Sequence, residues 1–297
     1  MNKETMKQLI IEDISKKLGT GFYISIQEVL KTNIKRDALI IFKNGENVSP
    51  NIYLEPYYDK FLHQVPLSSI TDEILTIYNK AHKENSNLDV SFLKNIENVI
   101  PRLFVKIINK HMNGELLKDT PYICFLDDFV IVPYCCIQLT EDDVASFLIK
   151  NMHLEYWNID KDSLITLAIA NTKNLFGIEL KSMKDILFEE TEIFSRMDCP
   201  PIFVLTNKYK TDGAATVLCD DVLKSFAKKY GNFYVIFSSL HEVLLLPDDY
   251  DMDLNHLSSI NKEVNETQLS PSEILGTKAY FFDENKGFVY VADGNFT

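Results

Sequence analysis

At 297 residues, with 46% hydrophobic and 25% charged side chains, the chain can bury most of its apolar surface without disulfide or metal staples, and its composition excludes a disordered chain and a membrane-embedded bundle. A formal charge of -13 and a pI near 4.9 set its surface against nucleic-acid backbones and anionic lipid, because no run of Lys and Arg is long enough to reverse the field locally. Nucleic acid and membrane are therefore not expected as partners.

Five cysteines, Cys124, Cys135, Cys136, Cys199 and Cys219, are odd in number, lie in apolar runs and lack paired C-x-x-C spacing, so they read as reduced core thiols of a cytoplasmic protein. The opening residues mix both charge signs at helical spacing and carry no signal-peptide apolar block. Met6, Leu9, Ile10, Ile14 and Leu18 predict an amphipathic helix closed by Gly19 and Gly21. From Tyr23 to Leu54 the period shortens to that of strands, with Ala38 to Phe42 and Ile52 to Leu54 separated by an Asn44-Gly45 turn. Glu55-Pro56 opens a helix bearing Tyr57, Tyr58 and Phe61, a cluster expected in the core rather than at a ligand platform. Ser68 or Ser69, with Glu73, is placed to cap the next helix, whose apolar face is Ile70, Ile74, Ile77, Tyr78 and Ala81.

The polar stretch from His82 to Asn87 is the expected boundary, giving an N-terminal module over 1–86 and a main domain over 87–297. Beyond it, Leu103 to Ile108 reads as a strand, and Tyr122 to Leu126 with Phe129 to Val132 as a hairpin around Asp127-Asp128. That acidic pair invites a metal, but a tight turn prefers Asp for its own hydrogen bonding, and no metal or other cofactor is expected. Ala145 to Ile149 reads as a strand. Asn151 to Trp157 leads into a helix striped by Leu164, Leu167, Ala168, Asn171 and Leu175. Strands are expected at Ile202 to Leu205 and Ala214 to Leu218, then a helix over Val222 to Tyr230 with Asp220-Asp221 at its electropositive N-terminus. A strand over Phe233 to Phe237, two helical pieces from Leu254 to Ile274 and a hairpin over Ala279 to Val291 complete the chain. These elements sum to an α+β protein with a mainly antiparallel, hairpin-rich sheet and helices packed on it.

Chemistry is most concentrated in Ser238-Ser239-Leu240-His241-Glu242. Serine, imidazole and carboxylate are the ingredients of an activated nucleophile, which makes Ser239, His241 and Glu242 the candidate catalytic residues. The spacing opposes that reading. Ser239 has no G-x-S-x-G elbow, and Ser-Leu-His-Glu also fits an S-x-x-E capping box in which Ser239 and Glu242 satisfy backbone N–H groups. His241 is then left over. Asn171 on an apolar stripe is a candidate binding residue, although a buried amide there usually pins a neighbouring loop or strand. The chain holds no H-E-x-x-H, G-x-G-x-x-G or Walker loop.

Several short pieces resemble an uncharacterised family of cytosolic proteins from Gram-positive, gut-type bacteria, known only as a domain of unknown function. They are Asn51-Ile52-Tyr53-Leu54 with Tyr57-Tyr58, His153-Leu154 with Trp157, Ala170-Asn171-Thr172, Leu205-Thr206-Asn207 with Gly213-Ala214-Ala215, and Ser238 to Val243. The resemblance implies an α+β fold and no established activity, and makes Asn171, Thr206, Asn207, Ser239, His241 and Glu242 the residues of any shared site. The function expected is a non-catalytic binding or regulatory protein, acting through a protein partner or as a homo-oligomer. The alternatives are a hydrolase-like enzyme with His241 as general base and an acidic decoy carried by a mobile element.

Overall fold

A computed structural model of the chain describes residues 2–46, 49–85, 90–140, 144–190, 201–219, 222–248, 254–289, 291–292 and 295–296. The chain divides into two compact units, Met1–Asp89 and Val90–Thr297. Every strand pairing among the described residues is antiparallel, and helices pack on the sheets, so the protein is α+β. No described helix is long and apolar enough to cross a membrane.

The N-terminal unit begins with α1 (Lys3–Leu18). Asn2 caps it by accepting from Thr5 N, and Gly19, at φ +78°, ends it in a backbone region that favours glycine. Its Met6, Ile10 and Ile14 recur four residues apart and are buried against one face of a meander of β1 (Phe22–Lys31), β2 (Ile34–Lys43) and β3 (Asn51–Tyr53), ordered β1-β2-β3. The β1–β2 hairpin pairs ten residues on each strand without a break and closes with a two-residue turn whose Asn33 has φ +65°. Helices α2 (Glu55–Leu62) and α3 (Leu67–Asn85) complete the cover. Tyr57 and Tyr58 are buried in this core, as expected.

Two local expectations are corrected here. Ser68 and Ser69 lie inside the first turn of α3 rather than capping it, because Pro66 O already accepts from Ser69 N and Ile70 N, and Glu73 instead pairs with Lys60. Ile77 is exposed, because the buried stripe follows Ile70, Ile74 and Tyr78 at a spacing of four.

In the C-terminal unit a short helix α4 (Ile96–Val99) precedes β4 (Leu103–Asn109), β5 (Ile123–Phe125), β6 (Phe129–Leu139) and β7 (Val144–Leu148). These four form one sheet, in which β6 pairs with β4 along one edge and with β5 and then β7 along the other. Helix α5 (Asn151–Trp157) stops at Asn158 in the left-handed region, and α6 (Lys161–Phe176) restarts under an Asp160 cap. Next come β8 (Glu179–Ser182), α7 (Met183–Glu190), β9 (Phe203–Thr206), α8 (Val222–Tyr230), β10 (Phe233–Ile236), β11 (Val243–Pro247), α9 (Leu254–Gln268), β12 (Ala279–Asp283) and β13 (Gly287–Val289). A second sheet has the order β13-β12-β10-β11-β9-β8.

Alternation along β10 sends Phe233 and Val235 into a large core shared with β4, β6, α6 and α8, and Tyr234 and Ile236 into a smaller cluster under Leu257 of α9. Each fully buried Phe or Leu contributes roughly 2 kcal/mol. The thiols of Cys135, Cys136 and Cys219 are buried, but Cys124 on β5 is exposed, correcting its core assignment. Cys199 and the pair Asp220-Asp221 lie outside the described residues.

The largest correction concerns Gly213–Leu218, a 3-10 helix rather than a strand. Its apolar run suggests a strand, but Thr216 Oγ1 donates to Gly213 O at 2.7 Å and Cys219 N to Thr216 O at 3.0 Å, curling the segment into the core. The final helical region is one helix, α9, with Ile274 beyond it as a single bridge to Ser239.

Candidate functional site

Antiparallel pairing of β9 with β11 sets Leu205 opposite Val243, so the chain leaving β9 at Thr206-Asn207 runs beside the chain entering β11 at His241-Glu242. Thr206, Asn207, Ser239 and His241 are therefore brought together, although more than thirty residues separate the two pairs. Each has a defined partner. Thr206 Oγ1 donates to His241 O at 2.6 Å. Asn207 Nδ2 donates to Thr211 O at 2.7 Å while its Oδ1 accepts from Tyr209 N at 2.9 Å, closing the turn that follows β9. Ser239 is 1% exposed, and its Oγ accepts from His241 N at 3.0 Å.

The turn returns on itself at Gly213. A Cβ there would lie 2.2 Å from Thr206 Oγ1 and 2.3 Å from His241 O, so only hydrogen fits. The following Ala214 N donates to Leu240 O at 3.1 Å. Before it, Asp212 takes a left-handed φ of +53° and donates its N–H to His241 Nδ1 at 3.2 Å.

That last bond fixes the imidazole. Nδ1 must be an unprotonated acceptor, so in the neutral ring the proton sits on Nε2, which faces Glu273 Oε1 at 3.6 Å. Glu273 in turn accepts from Ser270 N at 3.0 Å, and these bonds to Ser270, followed by the nearby His241, hold its carboxyl below the usual range. A histidine whose acceptor nitrogen is taken by a backbone N–H has no lone pair left to act as a general base.

The Ser239 capping box is not formed. Residues 239–242 join β10 to β11 without a helix, and Glu242 makes no hydrogen bond or ion pair among the described residues. The S-x-x-E pattern closes instead at Ser270–Glu273, where Glu273 N also donates to Ser270 O at 2.9 Å. Asn171 stands apart from this cluster. It sits on α6 and its Nδ2 donates to Ile100 O, pinning the turn before β4. Its neighbour Thr172 is the buried one, accepting from Val105 N at 3.1 Å.

Sequence reasoning missed Lys106. It lies in the apolar strand Leu103–Asn109 and pairs with Asp212 at 2.7 Å, both side chains largely buried, with its ammonium 4.2 Å over the Tyr134 ring. Burial, the largest influence, would lower its pKa, but the Asp212 carboxylate and Tyr134 together offset it and the net shift is upward, so the ammonium keeps its charge. One cation in an otherwise apolar strand was the signal. Asp212 is thus held by its side chain to β4 and by its N–H to His241. A cavity of about 10 Å³ adjoins it, lined by Phe104, Val105, Thr172, Asn207, Thr211 and Asp212, with room for at most one water.

At the other end of β4, Asp128 accepts from Lys278 at 2.7 Å and from Tyr280 OH at 2.9 Å. Among the described residues no group of three or more His, Cys, Asp or Glu could hold a metal ion.

A family model described as a family of unknown function (DUF5688) matches residues 3–284, nearly the whole chain. No curated protein and no solved structure matches it.

Proposed function

We propose that this chain, which belongs to that family of unknown function (DUF5688), is a binding protein without catalytic chemistry of its own. The observation that carries the reading is where the candidate catalytic atoms are spent. Ser239 Oγ, His241 Nδ1 and both amide atoms of Asn207 are engaged with backbone groups of their own neighbourhood. A nucleophile needs its oxygen facing substrate and a base within reach. Here the serine is buried, the imidazole is locked as an acceptor, and the adjoining cavity holds no more than a water. Thr206, Asn207, Gly213, Ser239 and His241 are then the knot that closes the C-terminal unit. Buried cysteines outside any disulfide favour a cytoplasmic setting.

The test is a hydrolase panel of activated esters, phosphomonoesters and peptides, with wild type beside Ser239→Ala and His241→Ala. The expected result is no turnover above buffer for any of the three, together with lower melting temperatures for both variants. Turnover by wild type that His241→Ala abolishes without unfolding the protein would overturn the reading.

A further inference from the structure

The N-terminal unit leaves backbone hydrogen-bonding groups open along one whole strand. In the β1–β2 ladder Lys31 faces Ile34 across a two-residue turn, which makes that a hydrogen-bonded pair; the pattern then alternates, and Gly21 O accepting from Asn44 N at 3.0 Å continues it. The odd residues Tyr23, Ser25, Gln27, Val29 and Lys31 thus bond to β2. The even residues Phe22, Ile24, Ile26, Glu28 and Leu30 aim their N–H and C=O groups away from it. Among the described residues β1 pairs with no strand but β2. Ten residues extend over roughly 33 Å, and the devices that normally blunt such an edge are missing: the register has no bulge, the strand no proline, and only Glu28 among the five open residues is charged.

We infer that the free edge of β1 is a docking site for an extended basic peptide segment, which adds to the sheet as a further antiparallel strand. The charge beside the edge selects the occupant. A wide groove of about 670 Å³ lies between β1 and α1, with Ile26 and Glu28 on one wall, Glu4, Gln8, Ile11 and Glu12 on the other, and Asp37 behind. Of its four carboxylates, Glu4 and Asp37 pair with Lys7, the one cation of the lining, at 2.9 and 2.8 Å, which leaves Glu12 and Glu28 to meet an incoming charge. Glu28 also meets Lys35 at 3.1 Å, but both are exposed, and such a pair yields readily to an incoming partner. In an added strand, residues bonded to Ile26 and Glu28 turn their side chains to the same face as those residues. Every second residue of the peptide therefore enters the groove. Lysine or arginine suits it, its stem along Ile11 and Ile26 and its charge at Glu12 or Glu28.

This inference names a partner class for the binding role and rests on that reading, yet the two fail separately: a hydrolase found in the panel leaves the edge untouched, and an edge that binds nothing leaves the polar knot as described. The probe is a labelled ten-residue Lys-Val repeat titrated with the full chain by fluorescence anisotropy. Saturable binding is expected, weakened about tenfold when the lysine amides are N-methylated and little changed when the valine amides are methylated instead, because only the former face β1. Glu28→Pro blocks the edge at an N–H that β2 does not use and is expected to weaken binding by about the same factor. If that variant does not fold, the two methylated peptides on wild type decide the matter. Equal binding of both methylated peptides, or of a Glu-Val repeat, or no binding at all, would overturn the inference. A wild-type dimer that Glu28→Pro converts to monomer would overturn it too, giving the edge to a second copy of the chain.

Discussion

The two units treat their polar groups in opposite ways. Residues 90–297 carry nineteen Lys and Arg against thirty-one Asp and Glu, and residues 1–89 eleven against twelve, so the acidic excess of the chain belongs almost wholly to the C-terminal unit. That unit also holds the side chains that look reactive in one dimension, and its knot turns Thr206, Asn207, Ser239, the His241 ring and the Lys106–Asp212 pair inward on their own surroundings. The nearly neutral N-terminal unit has no reactive-looking motif, yet leaves five residues of β1 with open backbone groups. A binding surface can therefore be marked by unmet backbone bonding where no side chain is unusual.

The contrast can be broken at several points. Lys106→Met leaves Asp212 without its cation in a largely buried place and is expected to cost about 3–5 kcal/mol, with part of the loss recovered by adding Asp212→Asn, which tolerates the left-handed φ. Trp157, the only tryptophan, is buried in the C-terminal unit, so its fluorescence in a urea titration follows this unit specifically. Gly213→Ala forces a Cβ into Thr206 Oγ1 and His241 O and is expected to cost about 3 kcal/mol by the same probe. An unchanged midpoint for either would mean the knot is not closed as described.

The N-terminal unit offers a paired test. Val29→Pro removes an N–H that bonds to β2 and is expected to cost about 3 kcal/mol, whereas Glu28→Pro, one residue away, is expected to cost less than about 1 kcal/mol. Circular dichroism melts of the two variants compare them directly; equal losses would contradict the assigned alternation. Thr206→Val removes one hydrogen bond to His241 O and is expected to cost about 1–2 kcal/mol in the Trp157 titration.

The smallest effect is one of pH. His153 is packed between Phe147 and Trp157 and accepts from Lys150 N at 2.9 Å; burial first, and the Lys150 charge second, hold its imidazole below the ordinary 6.5. The unfolded chain then binds a proton near pH 6.5 that the folded chain refuses. Stability of the C-terminal unit is thus full above that pH and declines as pH falls toward the folded-state value. His153→Gln should flatten urea midpoints between pH 7 and 5.

Much of the fold is legible from periodicity and turn chemistry. The α1 stripe, the Asn44-Gly45 turn, the hairpin at Asp127-Asp128 and the strand over Phe233 to Ile236 all follow from local pattern. What pattern misreads is decided by distant contacts. Gly213–Leu218 is expected as a strand but is a 3-10 helix, tied to a distant segment by Ala214 N donating to Leu240 O and entered through Gly213, where no side chain fits. Ser239 and Glu242 have capping spacing without a helix to cap, and the same pattern closes at Ser270–Glu273 instead. Residue types do point to the neighbourhood where Thr206, Asn207, Ser239 and His241 meet, but the role of each depends on partners up to thirty-five residues away. The open edge of β1 has no signature in residue type, since any strand has the same groups until its neighbours are known.

The most direct measurement is residue-resolved amide hydrogen exchange along β1 in the full chain, with and without the Lys-Val peptide. Slow exchange is expected at Tyr23, Ser25, Gln27 and Val29 and fast exchange at Ile24, Ile26, Glu28 and Leu30, with the second set becoming protected when the peptide binds. Uniform protection of β1 in the free protein, or no change on adding the peptide, would contradict the open, peptide-binding edge.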